Sequence, residues 1–136
     1  MKAIRVHQFG GPEVLQGENA ELPQPRLSEV IVRVRAAGVN PYDTYMRSGT
    51  FGARNPVLPY APGSDAAGTI EELGPGVDQF DLGDQVFATA TLTGACAEFA
   101  LCKIDQVHPL PCRWRWRPSS PSRHGSGALG KIVLIP

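Results

Sequence analysis

The 136-residue sequence predicts a mainly β (α+β) domain, a compact barrel or sandwich with one or two short helices. Three observations point there. Apolar residues alternate along 29–37, further β-rich runs are separated by turns rich in Gly and Pro, and one short stretch carries both helix start and helix stop signals. A hydrophobic share of 42% is too high for a disordered chain.

The clearest strand is Glu29–Ala37, EVIVRVRAA. Period two puts Val30, Val32, Val34 and Ala36 on one face and Ile31, Arg33 and Arg35 on the other, which predicts one buried face. The helix follows directly. Asn40 suits the N-cap, Pro41 the first helical position and Gly49 a left-handed stop, so the predicted helix covers 41–48. Tyr42, Tyr45 and Met46 share one stripe of it, an arrangement that ordinarily packs against a core. Further strands are predicted at 68–73, 84–90 and 95–103, with the turn sequences GPGVD, LGD and LTG between them.

Charge is balanced overall but not along the chain. Residues 1–105 hold all thirteen acidic residues and eight basic ones, whereas 106–136 hold five basic residues and no acidic one. Both tryptophans, Trp114 and Trp116, lie past that break in the run CRWRWR, 112–117. Such a shift predicts a boundary or insert rather than continuous domain sequence. No apolar run approaches the about 18 residues that span a bilayer, and no signal-peptide core is visible. Three cysteines make no disulfide framework, and the simplest expectation is a cytoplasmic protein with free thiols.

Gly125, Gly127 and Gly130 satisfy the dinucleotide pattern G-x-G-x-x-G. That pattern works when the glycines follow a strand and open a helix whose N-terminus faces the pyrophosphate. Here they follow PSSPSRH and precede the apolar run 132–135, so the expectation is a turn into a final strand.

Three segments carry a family resemblance: AAGVNPYDTYMRSGTF (36–51), PVLPYAPGSDAAGTIEELGPGV (56–77) and GDQVFATATLTGACAEFALC (83–102). In this order they resemble the zinc-independent, zeta-crystallin-like NADPH:quinone oxidoreductases of the medium-chain dehydrogenase/reductase superfamily. The resemblance implies that residues 1–111 form a GroES-like barrel, the N-terminal alcohol dehydrogenase-like domain. HGSGALGKIVLIP (124–136) resembles the extreme C-terminus of the same family, where the chain returns to finish the barrel. A chain of this length has no room for a Rossmann domain as well. The expectation is therefore a truncated form, its cofactor domain deleted internally, with 112–123 as a poorly ordered seam and the strand 131–135 pairing back.

Zinc-dependent relatives use a Cys, a His and a nearby Glu where this chain has Asn40, Ser64 and Asp65, a poor donor set for catalytic zinc. No metal is expected. The resemblance instead implies a quinone substrate and NADPH as cofactor, with Asn40 and Lys131 toward the cofactor and Tyr45, Phe51 and Ser64 toward the substrate. Tyr45 is the implied catalytic donor, because a phenol stays protonated at neutral pH and can stabilise charge growing on a quinone oxygen. Phe51 replaces a second tyrosine of some relatives and leaves an apolar wall. Without most of the cofactor's binding surface, NADPH would not be held tightly and this chain alone would be inactive.

Two other readings compete. The alternating cations and indoles of 113–117 have the chemistry to stack on bases or sit in an anionic membrane interface, but the run is short and unsupported upstream, which argues against nucleic acid as a partner. A barrel stripped of its partner domain would also expose apolar surface, which favours a non-catalytic fragment that associates with full-length relatives.

Overall fold

The computed structural model describes residues 1–110 and 132–134. The strands in chain order are β1 (Lys2–Val6), β2 (Leu15–Asn19), β3 (Glu29–Val39), β4 (Asp65–Leu73), β5 (Gln85–Ala88), β6 (Phe99–Lys103), β7 (Val107–Pro109) and β8 (Ile132–Leu134). The helix α1 (Pro41–Ser48) sits between β3 and β4. Every strand pairing among the described residues is antiparallel. The parallel sheet of a dinucleotide-binding domain is not among them.

β3 organises the larger sheet, whose order is β6-β3-β4-β5-β7. One edge of β3 pairs with β4 along most of its length. The other edge is shared: Glu29–Arg33 pair with β6, and Ala37–Val39 pair with β8. β1 and β2 form a separate ribbon, tied to the rest by bridges from Ala3 to Ala97 and from Val6 to Tyr60.

Val30, Val32, Ile70, Val86, Ala100 and Cys102 form the centre of the core. Each fully buried aliphatic side chain of this kind contributes about 1.5–3 kcal/mol. The expected two-faced character of β3 needs a correction at its start, because Ile31 is as completely buried as its neighbours Val30 and Val32. Both faces are therefore covered where the strand begins, and further along register shifts against β4 between Ile31 and Val32 and between Val34 and Ala36 break strict alternation. Arg33 and Arg35 do stay on the outside; Arg33 makes a bidentate ion pair with Glu71 and stacks over the Phe99 ring at 5.0 Å.

The strand expected at 95–103 is ordered as a strand only from Phe99, and the run 84–90 is trimmed to Gln85–Ala88. The ribbon β1–β2 was not anticipated from the sequence: β2 reads LQGEN, with a glycine at its centre and one apolar residue. The seam at 112–123 and the glycines at 125–130 lie outside the described residues.

Candidate functional site

α1 forms where the sequence places it. Pro41 opens it, Asn40 and Asp43 make a capping box, and Gly49 ends it in the left-handed region at φ 73°. In that box the Asn40 N–H donates to Asp43 Oδ2 at 2.8 Å. The Asn40 side chain also reaches sideways, its Nδ2 donating to Asp65 Oδ2 at 3.0 Å. Asn40 thus joins the helix to the first residue of β4. The loop after the helix is held by Asn55, which donates to the Gly49 carbonyl at 2.8 Å and accepts from the Phe51 N–H at 3.0 Å.

None of the helix residues is fully buried. Tyr42 and Met46, one turn apart, line a broad groove of about 1010 Å³ together with Asp43, Tyr60, Ser64 and Leu92. Tyr42 is also braced by Phe51, whose ring meets it nearly edge-on at 78° with centroids 5.0 Å apart. Tyr45, the third member of the stripe with Tyr42 and Met46, is not on that lining and is 53% exposed.

Of the residues singled out in the sequence, Ser64 lines the groove and its carbonyl accepts from the Thr91 N–H at 2.9 Å. Asn40 and Phe51 flank the groove through Asp43 and Tyr42. Lys131 lies outside the described residues. Among the described residues no group of three or more His, Cys, Asp or Glu could hold a metal ion, and no helix is long and apolar enough to cross a membrane.

Tyr60 was missed. Its hydroxyl is buried and has no hydrogen-bond partner, although the residue lines the groove. Burial, followed by the nearby Asp43 carboxylate, raises its pKa above the usual phenol value, which keeps the hydroxyl protonated as a donor. The available signal was its setting in LPYAPG, where two prolines fix the backbone on either side. The Leu58–Pro59 bond is cis. Burial raises the pKa of the Cys96 thiol, with Asp43 adding to it, and burial in the sheet core pushes Cys102 up to about 12, which favours the protonated thiol at both.

Comparisons with known proteins agree with this arrangement. Residues 26–136 match the alcohol dehydrogenase GroES-like domain. The chain is 52% identical to the quinone oxidoreductase of Rattus norvegicus over 112 residues and 41% identical to that of Pseudomonas aeruginosa over 111. Those matches cover 82% and 81% of this chain but 34% and 33% of the relatives, so it spans about a third of their length. The crystal structure of Escherichia coli quinone oxidoreductase complexed with NADPH superposes with a TM-score of 0.79 at 34% identity, covering 85% of this chain and 35% of that one. A human synaptic vesicle membrane protein VAT-1 homolog-like protein gives a TM-score of 0.80 at 30% identity, covering 85% of this chain and 37% of that one. With its antiparallel sheet, its capped helix between β3 and β4 and a family match across most of its length, the chain belongs to the alcohol dehydrogenase GroES-like domain family.

Proposed function

We propose that this chain is the quinone-side barrel of an NADPH:quinone oxidoreductase, a truncated form in which 112–123 replaces the cofactor domain and 124–136 returns to the barrel. The observation that carries this reading is the 52% identity to a quinone oxidoreductase over 112 residues, covering 34% of that relative.

The described residues do not fit a whole dinucleotide. The N-terminus of α1, where backbone N–H groups would face a phosphate, already holds the Asp43 carboxylate, and a second anion there would be repelled. NADPH would supply a hydride when held by a partner domain. Asn40 and Lys131 would then offer contacts on the cofactor side. Tyr45, 53% exposed, would donate its phenol hydrogen to the quinone oxygen on which charge grows. Phe51 and Ser64 would bound the substrate. This reading places the protein in the cytoplasm, in keeping with a small-molecule redox role.

The test has two arms. The purified chain, mixed with NADPH and 9,10-phenanthrenequinone, is expected to show no turnover above the uncatalysed rate; turnover abolished by Asn40→Ala would overturn the inactivity. Restoring a quinone oxidoreductase cofactor domain between 111 and 124 is expected to give quinone reduction that Tyr45→Phe lowers about a hundredfold. A folded chimera without that activity would overturn the functional reading.

A further inference from the structure

β8 has a thin hold on the sheet. Among the described strands it pairs with β3 alone, through Ala37 with Leu134, Gly38 with Val133 and Val39 with Ile132. A contact of three residue pairs is short enough to open locally while the rest of the sheet stays folded. The edge it occupies does not depend on it. Ala36, Ala37 and Gly38 pair on their other side with Ala67, Ala66 and Asp65 of β4, and Asp65 is bonded to Asn40 just beyond. The acceptor is therefore a preformed backbone edge, which any copy of the strand Ile132–Leu134 satisfies equally.

β8 also reaches that edge from the opposite side of the sheet. The preceding strand, β7, lies beyond β3, β4 and β5. The connecting residues 111–131 can span up to about 70 Å when extended, against about 30 Å for the diameter of a small domain. The strand can thus be delivered to its own β3 or to that of a neighbouring molecule. Charge favours a second copy of this chain as the neighbour. All five basic residues of 106–136 fall within 111–131, whereas 1–105 carry thirteen acidic residues against eight basic ones. The connection of one copy is attracted to the barrel of another.

We infer that β3 at Ala37–Val39 is an exchange site, where β8 of a second copy replaces the chain's own β8 in the same antiparallel register. Each copy carries both donor and acceptor, so the exchange is reciprocal and closes into a symmetric pair. The chain's own strand competes at an effective concentration of about 1 mM, so the pair forms as the protein concentration approaches that value. The exchange is independent of the quinone reading.

Two single variants of the full chain test this, Val39→Cys as acceptor and Ile132→Cys as donor. Directly opposed residues of an antiparallel pair lie within reach of a disulfide. The two chains, each shown to be folded by circular dichroism, are mixed at about 0.5 mM, near the effective concentration, and oxidised with diamide. Mass spectrometry of the digested product assigns each bond, so that links through the native thiols are scored separately. An interchain bond between positions 39 and 132 is expected, at about ten times the yield obtained when Arg35→Cys, on the exposed side of β3, replaces the acceptor. Adding Val133→Pro to the donor removes an N–H from the paired strand and is expected to lower the yield about tenfold. A yield no higher than that of the Arg35→Cys control, a yield untouched by Val133→Pro, or interchain bonds at other positions only would each overturn the inference.

Discussion

β4 and α1 meet at one joint, the Asn40–Asp65 hydrogen bond, and differ on either side of it. Along β4 the side chains of Ala66 and Ile70 are buried, and Gly68 lies so close to β3 that an added Cβ would strike the Arg33 carbonyl oxygen. In α1 no residue is fully buried, and two tyrosines show 42% and 53% of their surface. The contrast separates a packed framework from an exposed face. The sheet spends its side chains on packing, so its geometry is fixed; the helix is positioned by its caps, the Asn40–Asp65 bond and hydrogen bonds between Arg47 and Gly10, and its outer residues stay exposed.

The sharpest way to break that contrast is on the sheet. Gly68→Ala is expected to lower unfolding free energy by about 3 kcal/mol in urea titration, because β3 cannot retreat without disturbing its pairing with β6. A loss under about 1 kcal/mol would show the framework to be softer than its packing implies. The joint comes next. Asn40→Ala removes an N-cap side chain and the donor to Asp65, for an expected loss of about 1–2 kcal/mol by thermal unfolding. An unchanged midpoint would mean that Pro41 and Asp43 suffice to seat the helix. The smallest effect belongs to the outward face: Tyr45→Phe is expected to stay within about 0.5 kcal/mol of wild type. A larger loss would make Tyr45 part of the framework.

Where local chemistry decides structure, the sequence was readable. The helix at 41–48 follows from Asn40, Pro41 and Gly49, and β3 follows from its alternating valines, although it runs two residues further, to Val39. The β1–β2 ribbon was not readable, since LQGEN has little strand character and is held by pairing with β1 rather than by propensity. The site was legible to a lesser degree. The family resemblance led to Asn40, Tyr45, Phe51 and Ser64, but only packing shows that Tyr42 rather than Tyr45 lines the groove. Tyr60 stood inside a quoted motif without distinction, because an orphaned hydroxyl is a property of its surroundings, not of the residue.

The shared edge of β3 has one more consequence. β8 holds Ala37, Gly38 and Val39, the last residues before the helix cap, so a strand some hundred residues further along the chain fastens the root of α1. Unfastened, that stretch would present bare peptide groups to any strand nearby, inviting self-adhesion as well as letting the helix swing.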